Sequence, residues 1–182
     1  MKKYALVVGV KFGENCFYPS QGDSDLIHDW NIKLPGIKIK PNKDAAKQQA
    51  ILTAARPWRG DEGAKLMEVT SYANIDGRRV VGWDDETDQT FWRIRLNEEF
   101  GYIIWMEGDV VKNRVFQKRI SEHPPFLQAK LTYSKIPWLM FPSGMWFGGV
   151  DNDGNGLGGV APQQMDVYIN RAWVKKSKLN LQ

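Results

Sequence analysis

The stretch that decides the fold is residues 137–176, PWLMFPSGMWFGGVDNDGNGLGGVAPQQMDVYINRAWVKK. It begins with a short apolar segment, residues 137–141, which is typical of a buried strand. A loop rich in glycine, asparagine and aspartate follows, and these residues favour tight turns. Apolar residues return over residues 165–174, which predicts a terminal strand. A strand, a long glycine-rich loop and a closing strand together indicate an all-β protein.

The same stretch resembles the C-terminal part of glycoside hydrolase family 16, in the concanavalin A-like lectin/glucanase superfamily. The family pattern is an apolar strand, a GGxWxG segment and a closing strand, and it is matched here by Pro137, Trp138, Leu139, Gly144, Trp146, Gly148, Gly149, Pro162, Met165, Asp166, Val167, Tyr168, Arg171 and Val174. The resemblance implies an antiparallel β-sandwich of the jelly-roll type, which we expect to span residues 1–182 as a single domain. Because the superfamily contains hydrolases, lyases, lectins and structural modules, the fold does not choose among these functions.

The composition is that of a globular protein with a weak basic balance. The chain has 182 residues, of which 42% are hydrophobic, and a formal net charge of +4. This charge is too small, without a nucleic-acid-binding motif, to predict a nucleic-acid partner. No apolar run reaches the roughly 18 residues of a membrane span. The single cysteine, Cys16, excludes an internal disulfide and is expected to be a small buried residue.

The first ten residues, MKKYALVVGV, have the charge and the apolar run of a short signal peptide. Lys11, Phe12 and Gly13 follow in place of a small-residue cleavage site, so we predict the first strand here and no signal peptide. A place on a phage or other virion particle, or a different route to the outside, is therefore the hypothesis for where the protein acts.

The middle of the chain alternates between turn signals and extended segments. Residues 26–39 are expected to be extended and broken at Pro35-Gly36. Residues 43–55, KDAAKQQAILTAA, consist of helix formers between Pro41 and Pro57, and predict the one helix of the protein.

Two strand pairs are expected after this helix. Residues 65–73 alternate as a strand, and Asp76-Gly77 predicts a hairpin turn to a partner strand over residues 78–83. Residues 91–96 and 102–111 are predicted to pair with each other, and Glu107-Gly108-Asp109 stands where the superfamily has a turn.

The catalytic motif of family 16 is missing. These enzymes use an E-x-D-x-x-E strand, in which two glutamates about 5 Å apart act as nucleophile and acid. The only E-x-D begins at Glu107 and has Lys112 at its sixth position, and the strand over residues 65–73 offers Glu68 alone. We therefore predict no catalytic residue.

A polysaccharide lyase acting on an acidic glycan is the enzymatic alternative. Arg93 and Arg95 would share a strand face, where they could neutralise a uronate carboxylate. Proton abstraction would then need a tyrosine or a histidine, and the candidates are Tyr72, Tyr102, His28 and His123.

The loop DNDGNG, residues 151–156, resembles the start of a calcium loop. Asp151, Asp153 and Asn155 would supply oxygen ligands, and the glycines permit the sharp turn. Pro162 stands where an EF-hand has its bidentate glutamate, so a distant acid such as Asp166 would have to complete the site. Calcium is the only cofactor expected, and an ordinary tight turn is the other interpretation.

Exposed aromatic residues provide the most direct route to carbohydrate binding, because sugar rings stack on them while nearby polar groups bind hydroxyls. Trp146, Trp58 and Trp83 lie beside glycine, proline or acidic loop residues and are expected to be exposed. Four further tryptophans lie within apolar strands and are assigned to the core, namely Trp92, Trp105, Trp138 and Trp173.

The sequence therefore predicts a non-catalytic carbohydrate-binding or adhesion module with a glycan or polysaccharide as its partner. The expected ligand-binding residues are Trp146, Trp58, Trp83, Arg93, Arg95 and Tyr102. A structural capsid or tail decoration protein, which would contact only protein assembly partners, is the alternative of a different class.

Overall fold

The computed structural model describes residues 4–18, 32–39, 49–58, 64–75, 78–81, 92–108, 110–117, 126–130, 140–142, 145–147, 149–150, 156–157 and 163–179. Within them lie the strands β1 Tyr4–Phe12, β2 Ile32–Lys33, β3 Ile37–Ile39, β4 Gln49–Pro57, β5 Leu66–Ile75, β6 Arg78–Val81, β7 Trp92–Arg95, β8 Glu99–Glu107, β9 Val110–Gln117, β10 Phe126–Lys130, β11 Met140–Pro142, β12 Trp146–Phe147, β13 Gly149–Val150, β14 Gly156–Leu157 and β15 Val167–Lys175. Short 3-10 turns occupy Glu14–Cys16 and Lys176–Lys178. In this described part of the chain, no helix has the length and apolar character needed to cross a bilayer.

The strands form two antiparallel sheets, as predicted for an all-β sandwich. The first sheet has the order β10-β9-β8-β1-β15, so the first and last strands of the chain are neighbours. In the second sheet, β4 and β5 are long and central, and their neighbours are interrupted strands. Both β2 and β3 pair with β4, β6 and β7 pair with β5, and β11 and β12 extend the sheet beyond β3 and β2. A separate ribbon joins β13 and β14.

The core lies between the two sheets and follows the two-residue period of strands. In β1 every second residue, from Leu6 to Phe12, is buried in the core. The first sheet adds Phe100, Tyr102, Ile104, Met106, Val111 and Val115, and the second sheet adds Ile32, Ile37, Ile51, Met67, Val69 and Ile94. We use the term outer face for the side of each sheet that points away from this core.

Two buried polar contacts join the sheets. The Asn113 amide of β9 donates hydrogen bonds to the Leu52 carbonyl at 3.2 Å and to Thr53 Oγ1 at 3.1 Å, both in β4. The Tyr102 hydroxyl of β8 donates to the carbonyl of Pro35, between β2 and β3. Since a buried polar group without a partner costs free energy, these bonds fix how the sheets face each other.

The turn after β1 is tied to the segment before β15. The backbone amide of Gly13 donates to the Asp166 carbonyl at 2.8 Å. The Asn15 side-chain amide donates to Asp166 Oδ2 at 3.0 Å, and Asn15 Oδ1 accepts from the backbone amide of Asp166 at 2.8 Å. The Cys16 thiol, fully buried as expected, donates to the same carbonyl at 3.2 Å. Burial raises the pKa of the Cys16 thiol to about 11, so it is not a reactive thiolate at neutral pH.

The prediction of a helix over residues 43–55 is wrong where the structure describes it, since Gln49–Pro57 is the central strand β4. Residues 43–48 lie outside the described residues. Both faces of β4 are buried: Ile51 and Ala55 lie in the core, and Ala50, Leu52 and Ala54 form an apolar cluster on the outer face. A strand buried on both faces loses the alternation that identifies strands, so its alanine content was mistaken for helix propensity.

The predicted pairing of residues 91–96 with residues 102–111 is also wrong. β7 pairs with β5 in the second sheet, whereas β8 pairs with β9 in the first. The chain crosses between the sheets at Asn97, which has a φ of +62° and donates its amide to the Phe12 carbonyl at 2.8 Å. The predicted turn between β8 and β9 is confirmed at its described residues, because Glu107 pairs with Val110 and Gly108 has a φ of +63°; Asp109 lies outside the described residues.

The four tryptophans assigned to the core have different outcomes. Trp105 is buried as predicted, and Trp92 packs against the core while partly exposed. Trp173 is 38% exposed, because β15 is an edge strand of the first sheet and its outermost residues extend beyond the core. Trp138 lies outside the described residues.

Candidate functional site

Three of the predicted ligand-binding residues, Trp58, Arg93 and Arg95, have described side chains on the second sheet. For Trp146 the structure describes only the backbone, which pairs with Lys33 through β12. Trp83 and the expected calcium ligands Asp151, Asp153 and Asn155 lie outside the described residues, as do His28 and His123. Among the residues that are described, no three His, Cys, Asp or Glu side chains are grouped closely enough to hold a metal ion.

The structure brings Trp58 and Arg93 together on the outer face of the second sheet. The Arg93 guanidinium lies 4.2 Å from the centre of the Trp58 ring. Glu68, on the neighbouring strand β5, is only 3% exposed and accepts a hydrogen bond from Arg56 Nε at 2.7 Å, with Arg93 Nε 3.6 Å from its other oxygen. Arginine therefore covers a face of the tryptophan ring, and the buried carboxylate offsets the charge of the two arginines.

Arg95 is exposed on the same strand face as Arg93. With Arg93 held by Trp58 and Glu68, the two arginines are not an equivalent pair aimed at one carboxylate. The group that the sequence suggested as an anion site is instead a cluster in which the charged and aromatic side chains bind one another.

The prediction that Tyr102 contacts a ligand is wrong. Its side chain is fully buried between the sheets, where the hydroxyl donates to Pro35. Burial raises the pKa of the Tyr102 phenol well above its ordinary value. A group that is both inaccessible and difficult to deprotonate cannot serve as the base of a lyase.

A groove that the sequence did not predict lies on the outer face of the first sheet, across β8, β1 and β15. Its volume is about 340 Å³, at the lower end of the range of about 300–1,000 Å³ for small-molecule sites. The lining residues are Val7, Val8, Gly9, Glu99, Phe100, Gly101, Phe116, Asn170, Arg171 and Ala172.

Two glycines in register form the floor of this groove. Gly9 of β1 lies opposite Gly101 of β8, and on its other side it lies opposite Asn170 of β15. Side chains on one face of a sheet stand in rows across the strands, and here the row runs Phe116, Gly101, Gly9, Asn170. The Phe116 ring extends over Gly101, so a recess remains over Gly9, between the ring and the asparagine.

The two glycines serve different purposes. A β-carbon on Gly101 would lie 2.8 and 2.9 Å from atoms of the Phe116 ring, so this glycine lets the ring lie across the sheet. A β-carbon on Gly9 would meet only the Asn170 carbonyl, at 3.9 Å, which is an ordinary contact. Glycine inside a strand costs roughly 0.5–1 kcal/mol relative to alanine. Packing therefore explains Gly101, whereas no described neighbour requires a glycine at position 9, where the missing side chain leaves the recess open.

The chemistry of the recess is mixed. Phe116 offers a partly exposed ring, Asn170 an exposed amide and Glu99 an exposed carboxylate. Beside it, on the same face of β15, Tyr168 is 55% exposed, and the Lys11 ammonium lies 4.6 Å from the centre of its ring. A ring that contacts apolar C–H groups, with an amide and a carboxylate that bind hydroxyls, can hold a small polyhydroxylated ligand.

A sequence signal for this groove exists but is incomplete. A single glycine within an apolar strand, as in VVGVK and EFGYII, often marks a place where another molecule approaches the backbone. The sequence shows two such glycines, but it does not show that β1 and β8 are neighbours or that the glycines are in register.

The chain as a whole matches no protein-family model and no curated protein sequence.

Proposed function

We propose that this protein is a non-catalytic carbohydrate-binding or adhesion module and that the groove over Gly9 and Gly101 is its binding site. The single observation that carries this proposal is Gly9, an unstrained strand glycine with room for a β-carbon. Its missing side chain opens a recess next to an aromatic ring, an amide and a carboxylate. These are the groups that hold a sugar in a shallow site.

A place on a phage or other virion particle, where such a module would attach the particle to glycans, belongs to the same proposal. The groove itself requires only that a glycan can reach the outer face of the first sheet.

The test is a glycan array containing neutral and acidic polysaccharides, with parallel measurement of unsaturated uronate products. The wild-type protein is compared with Gly9→Leu, which fills the recess. The control is Arg95→Leu, which places a leucine at an exposed position of the other sheet. We expect binding without product, lost in Gly9→Leu and retained in Arg95→Leu. Unsaturated product would establish a lyase, and equal binding by all three proteins would place the site elsewhere.

A structural decoration protein is the second candidate function, and one observation favours it. Tyr4 and Trp173 are 37% and 38% exposed near one end of the pair formed by β1 and the edge strand β15. Exposed aromatic residues at a sheet edge are common in protein interfaces. Sedimentation of wild type and of Trp173→Ser would test this role, because an assembly through this edge should weaken in the variant.

A further inference from the structure

We infer that the groove binds a neutral glycan chain of at least two sugar units, with one sugar in the recess over Gly9, beside the Phe116 ring, and the next against Tyr168. This inference rests on the proposed carbohydrate-binding function and specifies the class of ligand. It follows from the charges that face the groove and from the position of Tyr168 relative to the recess.

The charges at the groove favour a neutral sugar over an acidic one. Among the described residues that line the recess, Glu99 is the charged residue whose side chain lies on the outer face. Arg171 also lines it, but it is opposite Val8, a core residue, so strand alternation places its side chain on the inner side of the sheet. A carboxylate accepts hydrogen bonds from hydroxyl groups and repels the carboxylate of a uronate.

The nearby cations do not reverse this preference. Lys11 lies directly opposite Glu99 in the β1–β8 pair, and its ammonium lies over the Tyr168 ring. The ammonium is therefore held by the tyrosine ring, and Lys11 is not among the residues that line the recess. Arg114 lies opposite Ile103, on the same face and one row away from the Gly101 row, and it has contacts of its own. The recess is thus lined by the Glu99 carboxylate and the Asn170 amide, whereas Lys11 and Arg114 do not line it.

Tyr168 provides the second position. It lies two residues from Asn170 on the same face of β15, which corresponds to about 7 Å along a strand. It is the most exposed large hydrophobic residue described. A sugar held by Asn170 and Glu99 would therefore have its neighbour in the chain close to the tyrosine ring. The ring should then contribute to the binding of an oligosaccharide but not of a single sugar.

Affinity electrophoresis and calorimetry test this inference on the intact chain. The neutral probes are glucomannan, xylan and laminarin with their hexasaccharides and monosaccharides, and the acidic probe is polygalacturonate with its hexasaccharide. All measurements are made at about 0.15 M salt, because a basic protein is retained weakly by any polyanion when charges are not screened. We expect at least one neutral hexasaccharide to bind more tightly than hexagalacturonate.

The variants separate the two positions. Tyr168→Ala should weaken binding of the neutral hexasaccharide by about 2- to 10-fold, as expected for a lost aromatic contact, and leave monosaccharide binding unchanged. Tyr168→Phe, which keeps the ring, should bind as wild type. Glu99→Gln should weaken neutral binding by about 10-fold or more and reduce the discrimination against hexagalacturonate.

Circular dichroism of each variant confirms that the exposed substitutions leave the fold intact. Preference for hexagalacturonate at this salt concentration, or equal loss of monosaccharide and hexasaccharide binding in Tyr168→Ala, overturns the neutral two-unit ligand and leaves the carbohydrate-binding function standing. Failure of every carbohydrate to bind the folded wild type overturns both.

Discussion

Replacing a glycine by alanine should raise the free energy of unfolding at Gly9 and lower it at Gly36 and Gly101, by amounts that depend on the space around each glycine. Gly9→Ala adds a methyl group to an open site, where its nearest neighbour is the Asn170 carbonyl at 3.9 Å. Because alanine restricts the unfolded chain and suits a strand better than glycine, we expect a gain of about 0.4–1 kcal/mol in the free energy of unfolding. The same methyl group reduces the recess, so glycan affinity should fall while stability rises.

Gly36→Ala should have the opposite effect. A β-carbon there would collide with the Ile51 carbonyl oxygen and would lie 2.7 and 2.9 Å from the Leu52 Cβ and Cα atoms. These atoms belong to the central strand β4, paired on both sides, so they cannot move apart as a flexible side chain could. Overpacking of this kind costs about 1–3 kcal/mol or more, and we expect the upper end.

Gly101→Ala should be intermediate. Its β-carbon meets the far end of the Phe116 ring, which can rotate away, but also the Val8 carbonyl at 3.0 Å. A cost of about 1–2 kcal/mol is therefore expected, together with displacement of the ring from the groove.

Urea unfolding measures the free energy of unfolding of all three variants and thermal unfolding measures their Tm, both followed by tryptophan fluorescence. For a chain of 182 residues, each kcal/mol corresponds to about 2–4 °C in Tm, so Gly9→Ala should gain about 1–4 °C and Gly36→Ala should lose about 6–12 °C. A Gly9→Ala variant destabilised by more than about 1 kcal/mol would refute the open recess. A Gly36→Ala variant as stable as wild type would refute the close approach of Gly36 to β4.

Three further predictions concern individual side chains. Tyr102→Phe leaves the buried Pro35 carbonyl without its donor, so urea unfolding should show a loss of about 1–3 kcal/mol while glycan binding stays unchanged; reduced affinity with intact stability would restore Tyr102 to the site. Burial raises the pKa of the Cys16 thiol from 9.0 to about 11, so the folded state holds this proton more tightly than the unfolded chain and loses stability as the pH rises from 9 through 11. Over that range wild type should lose about 2–3 kcal/mol in the free energy of unfolding relative to Cys16→Ser. Parallel plots of stability against pH for the two proteins would contradict the burial of the thiol. Hydrogen bonds from Lys112 and Trp105 lower the pKa of the Glu107 carboxyl, so these contacts stabilise the fold at pH values above the ordinary pKa of a glutamate, and this stabilisation is lost as the pH falls below that value. Glu107→Gln should therefore reduce the loss of thermal stability at acid pH, by well under about 1 kcal/mol because Glu107 is exposed. The same acid pH dependence in variant and wild type would argue against the contact.

Much of the fold could be predicted because many of its strands have one apolar face and a local turn signal. β1 was predicted from its apolar run, β5 from alternation, β6 from the Asp76-Gly77 turn signal, and the turn between β8 and β9 from Glu107-Gly108-Asp109. β4 was missed because it is buried on both faces, and periodicity cannot identify such a strand. The pairing of β7 with β5 was missed because strand partners depend on where the chain crosses between sheets, which local residues do not specify.

The candidate site was less accessible to sequence reasoning. Trp58 and Arg93 were predicted to bind a ligand, but the sequence could not show that Arg93 contacts both Trp58 and the buried Glu68. Tyrosine is a residue type common in binding sites, but Tyr102 lies in the core. Exposure and partners depend on residues distant in the sequence, so residue type alone could not separate these cases.

The sequence by itself determined the all-β class, the burial of Cys16 and the strand-forming character of the first and last segments, because these depend on composition, periodicity and turn residues close together in the chain. Only the tertiary structure decided that the first and last strands are neighbours and that Gly9 lies opposite Gly101. The groove exists because those two glycines meet in register with Phe116 and Asn170 beside them, and register is a property of paired strands that no single strand contains.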